Sequence, residues 1–378
     1  MKIVVFGAGM VGSAIIKDLA EESEFKVLAV DFSDQALQNL QGVPSVTLQQ
    51  ADLTKPGTIP GLVKDADLVV NAVPGFMGFN TLKKIIESGR NAIDISFFPE
   101  DPFELDELAK QKGLTAVVDC GVAPGLCNLI AGHVAAKLDK TDYYHCYVGG
   151  LPEVRQWPFE YKAVFSPVDV LEEYTRPARF VENGQEVIYP ALSGVELIDF
   201  PEIGTLEAFN TDGLRTLRNT LDIPTMREKT LRYPGHANLM RVFRESGFFS
   251  AEPLEVNELS VKPLALTSRL LFDQWRMTES DRDITVMQVL ISGWEGQTRK
   301  EYQYDLIDHF DDQKGVSSMA RTTGYTCTII ARQLLNGTFT WQGICPPELI
   351  GGIKGTYPNL ISEYQKRGIH IRETIREK

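Results

Sequence analysis

The chain lacks a Cys-x-x-Cys pair, a proline- or serine-rich linker and any apolar run long enough to cross a membrane. Its five cysteines, Cys120, Cys127, Cys146, Cys327 and Cys345, are odd in number and scattered. That pattern fits reduced thiols in a cytoplasm and argues against a disulfide framework or a structural zinc site. Histidine is scarce, and His133, His145, His309 and His370 have no partner at ligand spacing, so no metal is indicated. Positive charge is also short: 38 Lys and Arg against 51 Asp and Glu leave a net charge of −13. Such a field repels phosphate backbones and anionic bilayers, which excludes nucleic acid and membrane surfaces as expected partners. The apolar start, Met1 to Ile16, has only Lys2 as a basic residue and runs straight into Lys17-Asp18, unlike a secretory signal. Pro124, Asn128 and His133 interrupt the apolar stretch Gly121 to Ala136. A soluble cytoplasmic protein is expected.

What is present is ordinary globular composition, 43% hydrophobic and 24% charged, over 378 residues, enough for two or three domains. Lys2 to Phe6 is a β-prone run, followed by Gly7-Ala8-Gly9-Met10-Val11-Gly12 and then a helical pattern through Ala14, Ile15 and Leu19. Strand, G-x-G-x-x-G and helix in that order predict a dinucleotide site. Gly7 is expected to make the tight turn, Gly9 to admit the pyrophosphate and Gly12 to let helix and strand approach. Backbone N–H groups around Met10 and Val11 would hold the phosphates. A second strand, Phe25 to Val30, ends in Asp31, 22 positions after Gly9. There a carboxylate accepts bonds from the adenosine ribose and repels a 2′-phosphate, and no Lys or Arg follows in Phe32-Ser33-Asp34, so NAD is the expected cofactor.

Strand and helix patterns continue to alternate through Val118, the mark of a doubly wound parallel sheet. Ligands of such sheets bind at the carboxyl ends of the strands. Asn71, Ala72, Val73 and Pro74 are therefore expected at the cofactor, and Asp94 and Asp119 at the rim of the same crevice. Helix capping or loop hydrogen bonding is the competing role for both aspartates. Beyond Gly125 the texture changes. Strand candidates are Tyr143–Val148, Phe159–Phe165, Arg179–Glu182, Gln185–Tyr189 and Leu206–Phe209, then Thr285–Ile291 and Arg299–Tyr304, with a hairpin signal at Asn183-Gly184. From Val316 a buried helix runs to Asn336-Gly337, and the charged stretch from Lys366 to Lys378 reads as a solvated helix or tail. The expected architecture is α/β, a Rossmann doubly wound parallel sheet with a second α+β domain of mostly antiparallel sheet. Residues 1–125 bind NAD, 126–310 bind substrate and dimerise, and 311–378 are C-terminal helices returning to the first domain. A cleft between closely apposed domains would take a small substrate.

Several segments together resemble the saccharopine dehydrogenase family: Gly7 to Gly12, Val73-Pro74-Gly75-Phe76, Cys120 to Gly125, Val148-Gly149-Gly150-Leu151-Pro152 and Thr230-Leu231-Arg232-Tyr233-Pro234-Gly235-His236. Saccharopine-forming members carry an acidic residue before the Pro-Gly and a cysteine before Gly-Gly-Leu-Pro; here Ala123 and Val148 stand there. The run Leu206 to Arg215 is similar to the lysine 6-dehydrogenase branch. That resemblance implies a homodimer that oxidatively deaminates the ε-amino group of L-lysine with NAD, giving ammonia and 2-aminoadipate 6-semialdehyde. An ammonium group, with a pKa of about 10.4, cannot lose hydride while protonated, so the reaction needs a proton acceptor. Asp94, Asp119 and His236 are the candidates, and the sequence does not choose among them. Asp212, Arg215 and Arg232 are the substrate-binding candidates, Arg215 for the carboxylate it can grip in a bidentate way. Arg232 has an interface pair as its alternative, and His236 a helix cap. Two other readings stay open: a saccharopine- or carboxynorspermidine-dehydrogenase-like enzyme acting on a secondary amine, which needs a further cation for a second carboxylate, and a non-catalytic NAD-binding protein.

Overall fold

A computed structural model describes residues 1–377 and divides the chain into two units. The first comprises Met1–Lys137 and Ala320–His370. The second comprises Leu138–Met319 and the terminal strand Ile371–Glu377.

The first unit holds a seven-stranded, wholly parallel sheet. Its spatial order is Gly343–Cys345, Thr115–Val117, Ala92–Asp94, Leu68–Asn71, Lys2–Phe6, Lys26–Asp31 and Val46–Gln50. The central strands are unbroken apolar runs, and Ile3, Val5, Val69, Val70 and Ile93 are fully buried, as a sheet covered on both faces requires. Lys2–Phe6 lies beside Leu68–Asn71, while the chain between them builds the other half of the sheet. This is the point where strand order reverses and a crevice opens at the carboxyl ends. The seventh strand, Gly343–Cys345, is three residues long and comes from late in the sequence, too short to show a period. The helix Leu126–Ala135 also belongs here, where Asn128 Nδ2 donates to Glu348 Oε2 at 3.1 Å. The unit boundaries therefore fall at 137 and 319, where the sequence placed them at 125 and 310.

The second unit is built on a mixed sheet. Its main path runs Glu196–Phe200, Gly204–Asn210, Met226–Arg232, Lys140–Pro152, Asp283–Glu295, Thr298–His309 and Ile371–Glu377. Only Met226–Arg232 and Lys140–Pro152 run parallel; the other neighbours are antiparallel. The hairpin at Asn183-Gly184 is present, with φ of 51° and 75° at the two turn residues, which joins Ala178–Glu182 to Gln185–Tyr189. Two expectations fail. Phe159–Phe165 is partly buried and irregular, and its Ala163 N–H donates to the Trp275 carbonyl at 2.8 Å rather than to a strand. The stretch after Lys366 is neither helix nor tail. Ile371–Glu377 pairs with Thr298–His309, from Ile371 opposite Leu306 to Glu377 opposite Lys300; Lys378 lies outside the described residues.

Candidate active site

In the first unit the glycine turn has the predicted form. Gly7 has φ +97°, and a Cβ there would lie 2.3 Å from the Ala72 carbonyl oxygen. A Cβ on Gly12 would lie 2.1 Å from the Gly7 carbonyl oxygen, so this helix can start this close to the turn only with glycine. Gly9, at the N-cap of the helix Met10–Ala20, has open space where a side chain would stand. That opening beside unpaired N–H groups of a helix start fits a pyrophosphate. Met10 is exposed and Val11 partly so at the same helix start. Asp31 ends its strand with both carboxylate oxygens engaged, Oδ2 by the Ala8 N–H and Oδ1 by the Ser33 N–H, each at 2.7 Å. It thereby ties the strand end to the glycine turn.

Asn71, Ala72, Val73 and Pro74 form the neighbouring turn. Ala72 N–H donates to the Phe6 carbonyl at 2.8 Å, and Pro74 caps the helix Gly75–Glu87. Asn71 Nδ2 donates to the Gly78 carbonyl at 3.2 Å and to Asp94 Oδ2. Asp94 Oδ1 accepts from Ser96 N–H at 2.8 Å and Ser96 Oγ at 2.6 Å. Burial above all, with a smaller contribution from Asp119, pushes the Asp94 carboxyl up to about 7, against the bonds from Ser96 and Asn71 that favour ionisation. Asp119 follows the strand Thr115–Val117 with φ +53° and is buried. The structure thus brings together Asn71, Asp94 and Asp119. Ser96, which completes the network, was not singled out in the sequence, because its role depends on a contact with an adjacent carboxylate that serine signals no more than any loop residue.

His236, Asp212, Arg215 and Arg232 lie in the second unit. His236 is buried, with Nδ1 3.0 Å from the Phe159 carbonyl oxygen and Nε2 2.9 Å from the Tyr174 hydroxyl. A carbonyl only accepts, so Nδ1 carries the hydrogen and Nε2 accepts from tyrosine. Burial, and then the nearby Arg232 charge, push this imidazole down to about 3, so it is neutral. The capping role falls to Glu207, whose carboxylate takes the Gly235 N–H at 2.8 Å and the Ala237 N–H at the start of the helix His236–Glu245. Arg232 Nη2 donates to Glu173 Oε2 and Nη1 to the Leu231 carbonyl, each at 2.9 Å, and the guanidinium lies 4.6 Å from the centre of the Tyr161 ring. Asp212 is held by Arg179, through Nε at 2.9 Å and a second guanidinium nitrogen. Arg215 is buried, with φ +50°. Glu173, Tyr174, Tyr161, Glu207 and Arg179 were missed in the sequence, since each meets its partner across tens of residues.

All five cysteines are buried and outside any disulfide, and burial pushes the thiols of Cys120, Cys327 and Cys345 up, so these three are inert rather than activated. Among the described residues, no helix is long and apolar enough to cross a membrane.

A doubly wound sheet with an open glycine turn at its switch point, joined to a mixed-sheet unit, defines a two-domain NAD(P)-binding protein of the dehydrogenase type. Residues 3–117 match the saccharopine dehydrogenase NADP binding domain and residues 121–369 the saccharopine dehydrogenase C-terminal domain. The chain belongs to the saccharopine dehydrogenase family. It is 28% identical to the mitochondrial alpha-aminoadipic semialdehyde synthase of Mus musculus over 92% of this chain and 45% of that protein. It therefore spans about half the length of that relative. Similarity to the saccharopine dehydrogenase [NADP(+), L-glutamate-forming] of Pyricularia oryzae is 26% identity, covering 99% of this chain and 98% of that one. The fold matches the apo saccharopine dehydrogenase (L-Glu forming) structure from Saccharomyces cerevisiae, with a TM-score of 0.81, 19% identity and 99% coverage of both chains.

These relatives overturn the expectation of direct lysine deamination. Relatives that correspond over most of both chains are named for saccharopine, in Pyricularia oryzae, and for carboxynorspermidine, in Vibrio cholerae, the latter 22% identical over 91% of each chain. That expectation leaned on the run Leu206 to Arg215, with Ala123 and Val148 counted against saccharopine, and a substrate is not set by such local differences: one methylene changes pocket affinity by only about 1–3 kcal/mol and leaves no motif.

Proposed function

We propose that this protein is an NAD(P)-dependent oxidoreductase that makes or breaks the C–N bond of a secondary amine of the saccharopine type. The observation that carries this reading is the end-to-end correspondence with the Pyricularia protein, 99% of one chain on 98% of the other. When bound, the nicotinamide supplies the hydride acceptor or donor. In the oxidative direction, the carbon next to nitrogen loses hydride, the nitrogen loses a proton, and water splits the resulting imine into a carbonyl compound and a primary amine.

The residues then divide the work. Gly7, Gly9, Met10, Val11 and Gly12 receive the pyrophosphate on backbone N–H groups, and Asp31 receives the ribose, which favours NAD over NADP. Asn71, Ala72, Val73 and Pro74 wall the nicotinamide side. We assign the proton acceptor to Asp119, at a strand end in the crevice, since His236 is neutral with both ring nitrogens committed. Arg215 is assigned to a substrate carboxylate, while Arg232 and Asp212 support the second unit through Glu173 and Arg179. A homodimer in a reducing cytoplasm completes the reading, the latter supported by five cysteines outside any disulfide.

The test is formation of reduced nicotinamide at mildly alkaline pH with saccharopine, carboxynorspermidine and L-lysine, each with NAD and NADP. Turnover of a secondary amine is expected. Turnover of lysine alone, or of none of them in either direction, refutes the proposal.

A further inference from the structure

We infer that Asp94 is a positioning residue for the dinucleotide: together with Asn71 and Ser96 it holds the turn 71–75 in its cofactor-binding shape, and only its ionised carboxylate does so. This goes beyond the substrate reading and rests on the nucleotide-binding fold alone.

The side chain is completely buried, and both its oxygens are taken up by neighbouring groups of the protein. Everything bonded to it donates: Ser96 N–H, Ser96 Oγ and Asn71 Nδ2. A carboxylate satisfies all three; a carboxylic acid has its own hydrogen to place, and the Ser96 hydroxyl can take it only by turning its own hydrogen away from Asp94, which leaves that hydrogen in need of an acceptor. Among the side-chain atoms of this network the unused buried acceptor is Asn71 Oδ1. Offering it means turning the Asn71 amide over, which takes Nδ2 away from the Gly78 carbonyl and puts an oxygen there instead. Gly78 lies in the first turn of the helix Gly75–Glu87, packed so closely on Ser96 that a Cβ would fall 2.1 Å from Ser96 Oγ. Between Asn71 and that helix, the Ala72 carbonyl abuts Gly7 in the glycine turn. Protonating Asp94 therefore loosens the strand end from the helix start, and the loosened piece is one wall of the glycine turn.

The titratable neighbours do not oppose this. Asp119 adds like charge, and Cys120 and Cys327 are buried thiols held neutral well above physiological pH. With the carboxyl pushed up to about 7, the change falls in the working range of an enzyme.

The experiment is calorimetric titration of the full chain with NAD and NADH on both sides of pH 7, for wild type, Asp94→Asn and Ser96→Ala. NADP is avoided because its phosphate has its own pKa, about 6. Wild-type affinity is expected to fall up to about tenfold per pH unit below the Asp94 midpoint, as one linked proton requires. Asp94→Asn binds more weakly above the midpoint and loses the slope. Ser96→Ala, which removes one donor to the carboxylate, moves the midpoint to higher pH while retaining the slope. A flat wild-type profile, a slope that survives in Asp94→Asn, or an unmoved midpoint in Ser96→Ala overturns the inference. None of these readouts involves the amine substrate, so failure of the secondary-amine proposal leaves them intact.

Discussion

Asp31 offers the sharpest test, because the matching domain description and the full-length fungal relative both specify NADP while this residue argues for NAD. Its carboxylate is pinned at the mouth of the glycine turn by Ala8 and Ser33 N–H groups, and so cannot swing away from an incoming ribose without breaking two bonds of 2.7 Å. The next three residues supply no cation, and Phe32 is 73% exposed. A 2′-phosphate brings a charge of about −1.5 to −2. Against one carboxylate at about 4 Å, each unit of charge costs about 1 kcal/mol with full water screening and about 4 with the screening of a protein surface. Taking the lower end, about 2 kcal/mol, NAD is expected to bind roughly 30-fold more tightly than NADP. Asp31→Asn removes the charge but retains a side-chain oxygen for the Ala8 N–H, so NADP affinity should rise at least about tenfold while NAD affinity falls a few-fold. Calorimetry of both proteins with both nucleotides measures this. Equal affinities in the wild type, or an unchanged ratio in Asp31→Asn, would show that the charge argument is wrong.

Other outcomes follow from single contacts. Gly12→Ala drives a methyl group into the Gly7 carbonyl, a backbone atom with nowhere to go, and should cost about 1–3 kcal/mol in urea unfolding along with nucleotide binding. Asp18 is buried between Arg332 and Arg367, bonded to each at 2.7 Å, which holds its carboxyl below the usual range despite burial. Asp18→Asn leaves Arg332 with Glu22 and Arg367 with Glu363 but removes the buried charge between them, and should cost about 1.5–3 kcal/mol. The wild-type contribution is present above the unfolded value of 3.8 and lost as pH falls through the lower folded one. A loss below about 1 kcal/mol would contradict that account. His236, depressed to about 3, contributes stability that is whole above 6.5 and lost as pH falls towards 3, by up to about 1.4 kcal/mol per pH unit. His236→Gln should flatten that part of the stability profile, and an unaltered slope would assign it to other groups.

The amino-acid order alone determined what depends on neighbours within a turn or a strand. Gly7, Gly9 and Gly12 form their turn because backbone conformation and close approach are local properties of glycine, and Asp31 ends its strand at the spacing a βαβ unit dictates. The Asn183-Gly184 hairpin was legible for the same reason. Tertiary structure alone decided the rest. Apolarity told that Tyr161, Ala163 and Val164 are buried but not that the Ala163 N–H bonds outside a sheet, since burial has no period of its own. The three-residue strand Gly343–Cys345 and the edge strand Ile371–Glu377 exist because distant strands offer them a register. His236 was a candidate base until Tyr174, 62 residues away, and Phe159, 77 residues away, were found on its two nitrogens. Asp94 and Asp119 looked alike at two strand ends and both are buried; only the folded chain shows that three donors from Asn71 and Ser96 hold the Asp94 carboxylate. Charge state, hydrogen-bond commitment and access are properties of an assembled environment, and only the folded chain brings that environment together.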